Sequence, residues 1–180
     1  MPQAGDQERE RRSVPDADQL HAAAQTLLEQ LDRADMTLAT AESCTGGFLS
    51  SLLTDIEGLS HCVDRGYVTY SDTAKQDMLA IDPALIDQHG AVSEPVARSM
   101  AENSLKLAGA GLSLAVTGFA GASEPDEIEG PGVTYIGVAV ADQSWVYRVD
   151  YGERPRRDVR NLATFAALSI GTRTLAGRDR

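Results

Sequence analysis

The chain has 180 residues, 42% of them hydrophobic and 24% charged, which is the size and composition of one globular domain. Its apolar stretches, such as Leu112 to Val116 and Ile136 to Ala141, fall far short of the roughly 20 residues a membrane span requires, and its start is polar, with no signal-peptide pattern. A formal net charge of -11 would repel nucleic-acid phosphates, so a cytoplasmic protein with neither a nucleic-acid nor a membrane partner is expected.

Residues 1–16 mix charges with Pro2 and Pro15 and show no apolar period, so they read as a disordered tail before a domain over 17–176. From Ala17 to Ala34, apolar residues at Leu20, Ala24, Leu27, Leu28 and Leu31 recur at helical spacing. Met36 to Ala41 is a short apolar and β-branched run, followed by Glu-Ser-Cys-Thr-Gly-Gly and a helical pattern from Phe48 to Thr54. Tyr67 to Tyr70 is a second strand, and Ser71, Asp72 or Thr73 caps a helix running through Lys75 to Leu79. Ser93 is the N-cap expected for a helix from Glu94 to Leu107, with Pro95 in its first turn and Gly109 beyond its end. Leu112 to Val116 is a third strand, ending at Thr117-Gly118-Phe119-Ala120-Gly121. The acidic, Gly- and Pro-containing stretch from Ala122 to Gly132 then reads as a surface loop. Val133 to Ala141 and Trp145 to Tyr151 form an antiparallel hairpin across Asp142-Gln143-Ser144, and a last helix spans about Pro155 to Leu175.

Strands alternating with helices imply a three-layer α/β/α sandwich with a mostly parallel sheet and an antiparallel edge hairpin. Ligands in such sheets gather at the carboxyl ends of the strands, which selects Glu42 to Gly47, Tyr70 to Lys75 and Thr117 to Gly121. Ser43 lies between a strand and a helix whose first amides lack helical partners, and Gly46 and Gly47 let backbone approach a ligand. The loop can hold an oxyanion or a phosphate; equally, Ser43 or Thr45 can simply cap the helix. The histidines, His21, His61 and His89, all fall outside these loops, which disfavours a Ser-His-Asp enzyme. Lys75 can serve as the base if burial depresses its pKa, or it is an ordinary solvated helix lysine. Tyr70 can relay a proton or belong to the rim. Thr117, Gly118 and Gly121 suit backbone contact with phosphate or ribose, or form only a tight turn. Arg154, Arg156, Arg157 and Arg160 can contact phosphate or merely balance local acid. No His, Cys and carboxylate cluster has metal spacing, so neither a metal nor a cofactor is expected, and Cys44 and Cys62 read as reduced thiols.

Thr37-Leu38-Ala39-Thr40-Ala41-Glu42-Ser43-Cys44-Thr45-Gly46-Gly47 resembles the signature of the CinA C-terminal domain family. The resemblance continues through Gly66 to Lys75, His89 to Ala97, Ala115 to Gly121, Val133 to Gly137 and the Arg157 to Arg160 region, covering roughly residues 20 to 175 in order. It implies the three-layer fold and, in active members, hydrolysis of nicotinamide mononucleotide to nicotinate mononucleotide and ammonia, in a homo-oligomer. By that resemblance Ser43 attacks the carboxamide, Lys75 takes its proton and Tyr70 supports the transfer. By the same resemblance the Gly46 and Gly47 region holds the oxyanion, Thr117 and Gly118 line the nucleotide pocket, and Glu42, Thr45, Gly121 and Arg157 also bind the substrate. The short stretch before the first helix corresponds to the stand-alone form. Two features depart from the family pattern. Ala122-Ser123-Glu124 replaces a Gly-rich turn, bringing Glu124, Asp126 and Glu127 near a phosphate they would repel, and Asp72 replaces an Asn beside Lys75, where it would raise the lysine pKa. These departures keep two alternatives open: a nucleotide-binding paralogue with little turnover, and an amidase for a less anionic amide.

Overall fold

The computed structural model describes residues 13–122, 128–141 and 143–177. Most of the stretch read as a tail, and the acids Glu124, Asp126 and Glu127, lie outside the described residues. Pro15 is buried, and Asp16 opens helix α1 (Ala17–Arg33) with a capping box in which its carboxylate accepts from Gln19 N while Gln19 accepts from Asp16 N. The buried stripe of α1 is Leu20, Ala24, Leu27, Leu28 and Leu31, as the periodicity requires.

Five strands form one sheet in the order β2-β1-β3-β4-β5. β1 (Leu38–Glu42) lies parallel to both β2 (Val63–Val68) and β3 (Leu112–Gly118). β4 (Val133–Val140) and β5 (Gln143–Asp150) complete the sheet as the antiparallel hairpin. Helix α2 (Phe48–Thr54) follows β1 directly, and α3 (Asp72–Leu79), α4 (Pro83–His89) and α5 (Glu94–Ala108) lie between β2 and β3. Helix α6 (Arg156–Ala176) closes the described chain.

The pleat of β3 divides the core in two. Leu112, Leu114 and Val116 point into a cluster with Leu27 and Leu31 of α1, Leu49 and Leu53 of α2, and Ala163, Ala167 and Leu168 of α6. Ala115 points the other way, into a cluster with Ala41, Leu79 of α3, Ile86 of α4, and Val96 and Met100 of α5. The three layers are thus α1/α2/α6, sheet, and α3/α4/α5, which is the expected fold class. Among the described residues no helix is long and apolar enough to cross a membrane.

Differences from the sequence reading sit at the periphery. β2 begins at Val63 and ends at Val68, earlier than Tyr67 to Tyr70, because an edge strand carrying Asp64 and Arg65 needs no apolar run. α4 was not anticipated; its signal is the pair Asp82-Pro83, in which Asp82 accepts from Ala84 N and Pro83 occupies the first turn. β5 starts at Gln143, inside the stretch read as a turn, because Gln143 and Ser144 are polar residues on the outer strand. Ser93 occupies the N-cap of α5 without a side-chain cap, its hydroxyl donating instead to Gly90 O at 2.8 Å.

Candidate functional site

β1 ends at Glu42, and Ser43 still pairs like a strand residue, its N–H donating to Val116 O at 2.9 Å. The chain then folds back in a turn closed by Gly46 N–H on Ser43 O at 3.0 Å, and Gly46 and Gly47 take positive φ of 59° and 90°. Strand pairing before the turn and helix α2 after it fix the Ser43 side chain at the carboxyl edge of the sheet.

Lys75 reaches the same point from the first turn of α3, which Ser71 caps by accepting from Ala74 N. Its side chain is 1% exposed, and Nζ donates to Ser43 Oγ at 3.4 Å and to Tyr70 O at 3.5 Å, with Asp72 Oδ1 3.7 Å away. Burial holds the Lys75 pKa below its ordinary value by disfavouring the ammonium, and the Asp72 carboxylate opposes that shift only in part. Ser43 itself is 8% exposed. A buried serine beside a buried lysine of lowered pKa is the pairing a hydroxyl nucleophile without histidine requires.

A cavity of about 220 Å³ opens over this pair. Ser43, Lys75, Tyr70, Thr117, Gly118 and Gly121 border it, so six of the residues expected from sequence meet there. Cys44, Asp72 and Arg156 also border it. Burial pushes the Cys44 thiol up to about 12, so it offers no thiolate to compete with Ser43. A larger hollow of about 470 Å³ lies between α5 and the β4–β5 hairpin, but its lining, including Glu102, Lys106 and Gln143, contains no side-chain hydroxyl or thiol, and the smaller cavity is the candidate site.

The remaining expected residues stand elsewhere. The carboxylate of Glu42 is fully buried and accepts from Gly47 N at 3.0 Å, Leu49 N at 3.0 Å, and Ser50 N and Oγ at 2.8 and 2.6 Å. Gly47 N–H is therefore committed to Glu42, and neither Ser43 nor Thr45 caps α2. The amides of Cys44 and Thr45 make no backbone hydrogen bond among the described residues, and of the two Cys44 borders the cavity, so its amide is the one left for an oxyanion. Thr45 turns its carbonyl to Arg160 Nη2 at 2.7 Å, and its buried Oγ1 has no hydrogen-bond partner among the described residues. Tyr70 is 61% exposed, and its hydroxyl accepts from Arg156 Nη2 at 2.7 Å; it is the carbonyl of Tyr70, not the hydroxyl, that faces Lys75. Thr117 Oγ1 donates to Ala91 O at 2.9 Å, and Gly118 packs where a Cβ would meet Val133 O at 2.6 Å.

Arg157 is exposed and outside the cavity, and Arg156 stands in its place. The signal was helical spacing: Arg156 and Arg160 are four residues apart and share the face of α6 turned to the site, whereas Arg157 is rotated off it. Among the described residues, one group brings metal-ligating types together: Asp32, His61 and Cys62, with ligand atoms within 4.8 Å of one another. His61 and Cys62 precede β2, at the opposite end of the sheet from Ser43, and His61 Nε2 is already hydrogen-bonded to Asp32 at 2.8 Å.

The model of the CinA C-terminal domain family matches residues 20–175. A CinA-like protein of Mycolicibacterium gilvum is 43% identical over 144 residues, covering 80% of this chain and 34% of the relative, and one of Chlorobaculum tepidum is 40% identical over 152 residues, covering 78% and 36%. The chain thus spans about a third of the length of these curated relatives. Among solved structures, the competence/damage inducible protein CihA from Agrobacterium tumefaciens superposes with a TM-score of 0.84 at 30% identity, covering 91% of this chain and 98% of that one. A CinA superfamily protein from Escherichia coli gives 0.82 at 28% identity, covering 92% and 96%.

Proposed function

The chain belongs to the CinA C-terminal domain family, and on that premise we propose that it is an amidohydrolase converting nicotinamide mononucleotide to nicotinate mononucleotide and ammonia. The observation that carries this reading is the buried Lys75 amine 3.4 Å from Ser43 Oγ, with its pKa lowered by burial.

In this mechanism neutral Lys75 takes the Ser43 proton as Oγ attacks the carboxamide carbon. The oxyanion of the tetrahedral intermediate lies against the Cys44 amide. The Lys75 ammonium returns its proton to the departing nitrogen, ammonia leaves, and an acyl-Ser43 ester remains. Water, deprotonated by the same lysine, then attacks the ester carbon, the proton returns to Ser43 Oγ, and the carboxylate product is freed. Arg156, at the rim and already hydrogen-bonded to Tyr70, is the cation available to the substrate phosphate. The same reading includes a cytoplasmic homo-oligomer with no nucleic-acid or membrane partner; the net charge of -11 supports the exclusion of nucleic acid.

The test is ammonia release from nicotinamide mononucleotide, with nicotinamide riboside as a phosphate-free comparison, by wild type and Ser43→Ala. Turnover of the mononucleotide that Ser43→Ala abolishes is expected. The second reading, a nucleotide-binding paralogue without turnover, draws on Asp72, which favours the charged lysine. Calorimetric binding of the mononucleotide without any product would replace the first reading by the second, and turnover of the riboside alone would point to a less anionic amide.

A further inference from the structure

The residue immediately before the nucleophile carries a carboxylate that faces away from the cavity, into the start of α2. All four of its hydrogen bonds run to three residues, Gly47, Leu49 and Ser50, so Glu42 ties the last residue of β1 to the first turn of the helix. The turn between them, residues 43–46, is closed into a loop whose two ends are held by one side chain.

Beneath this carboxylate the polar chain continues. Ser50 gives its proton to Glu42 Oε1, so in the 2.6 Å contact between Ser50 Oγ and Thr40 Oγ1 it is Thr40 that donates. Thr40 and Glu42 are alternate residues of β1, and Thr40 pairs in register with Gly66 of β2. A Cβ on Gly66 would meet Ser50 Oγ at 2.2 Å and Thr40 Oγ1 at 3.0 Å. The bare glycine is what lets the Thr40, Ser50 and Glu42 groups meet beside an edge strand.

We propose that Glu42 is a positioning residue for Ser43: with Ser50 and Thr40 it clamps the ends of the 43–46 turn, holding Ser43 Oγ against Lys75 and the Cys44 amide toward the cavity. This inference rests on the amidohydrolase reading for its kinetic consequence but not for the clamp itself. The first turn of α2 is already saturated by an internal carboxylate, so the substrate is excluded from it. Gly47 serves the enzyme as a donor to Glu42 rather than as a donor to the ligand.

The test uses the full chain with Glu42→Gln, whose amide nitrogen places a donor against backbone donors, and with Ser50→Ala, which removes the hydroxyl between Glu42 and Thr40 and keeps the carboxylate with its three backbone donors. Amide hydrogen exchange over residues 43–50 is expected to rise at least about tenfold in Glu42→Gln and less in Ser50→Ala, while the β3 and α5 amides keep wild-type rates. With nicotinamide mononucleotide, kcat is expected to fall about a hundredfold in Glu42→Gln and about three- to tenfold in Ser50→Ala, with KM changed less than threefold in both. Labelling of Ser43 by a fluorophosphonate, read by intact mass, is expected to slow in the same order. If Glu42→Gln does not fold, Ser50→Ala decides by the same two readouts. Unchanged exchange over 43–50 in folded variants, or a KM rise in place of a kcat loss, would overturn the proposal. Absence of ammonia from the wild type defeats the amidohydrolase reading alone, since exchange and labelling report on the clamp without the natural substrate.

Discussion

The turns at the carboxyl ends of β1 and β3 both border the cavity and are built in opposite ways. The first, from Ser43 to Gly47, is held at every corner: Ser43 N–H on Val116 O, Gly46 N–H on Ser43 O, Gly47 N–H on Glu42, and the Thr45 carbonyl under Arg160. The second, from Phe119 to Gly132, is pinned at its base, where Phe119 N–H reaches Val133 O at 2.9 Å and Gly132 N–H reaches Phe119 O at 2.8 Å. Near its far end Glu129 is tied to Arg148 at 2.6 Å and to Tyr135, and the Arg148 guanidinium lowers its carboxyl to about 2. A fixed turn suits bond-making, which tolerates little misplacement, while the β3 side meets the cavity through Phe119 to Ala122 and bears on what the cavity accepts. On this comparison, damage on the β1 side, including its partner Lys75, strikes kcat, and damage on the β3 side and the rim strikes KM.

The largest effect expected is that of Lys75→Met. Loss of the base should lower kcat at least about a thousandfold, with binding of the mononucleotide largely kept, as calorimetry would read. Stability should move the other way. The lysine's folded pKa lies below its unfolded value of 10.5, so the folded state disfavours the proton, and stability is lost as pH falls through the folded pKa and recovered as pH rises toward 10.5. At neutral pH a methionine of similar length relieves that cost, and the melting temperature should rise by a few degrees. A variant that loses activity and also melts lower would mean that Lys75 is placed there for packing.

Next in size is the contrast between Arg156→Ala and its neighbour Arg157→Ala. A charge-assisted hydrogen bond is worth about 1.5–3 kcal/mol, so removal of Arg156 should raise KM for the mononucleotide roughly ten- to a hundredfold and leave the riboside unaffected. Arg157→Ala should stay within about twofold. Equal effects of the two would erase the distinction that α6 geometry draws between them.

That contrast also marks where the sequence could be read and where it could not. Periodicity identified the stripe of α1, and β-branched runs identified the central strands, because buried elements must be apolar on the face they bury. For Ser43 and Lys75 the residue types and strand-end loops left a helix cap and a solvated lysine open, and it was the family resemblance that singled out the pair. The direction of Glu42 was not legible: a carboxylate in a catalytic-looking turn points equally well to ligand or to helix, and only Ser50, eight residues on, with Gly66, decides it. The choice between Arg156 and Arg157 needed the rotation of a helix whose N-terminal boundary sequence fixes only to within a residue or two. β2 was read with displaced bounds and α4 escaped, because an edge strand and a seven-residue helix bury too little to leave a clear pattern.

The smallest effect, and the one that most sharpens the roles of the two sides, is that of Asp72→Asn. Asp72 stands 3.7 Å from Lys75 Nζ with its side chain 56% exposed, and its charge raises the lysine pKa against the larger effect of burial. Half-exposed ion pairs contribute up to about 1 kcal/mol, so the Asn variant should shift the alkaline-rising limb of kcat to lower pH and raise kcat below that limb by about two- to fivefold. KM should hold, because Asp72 acts on the base and not on the ligand. The stability corollary follows: with the lysine pKa lowered further below 10.5, the loss of stability on acidification should be larger and extend to lower pH than in wild type. If kcat instead falls at all pH values, the carboxylate is holding Nζ toward Ser43 Oγ, and the departure from Asn at this position is part of the clamp rather than a brake on the base.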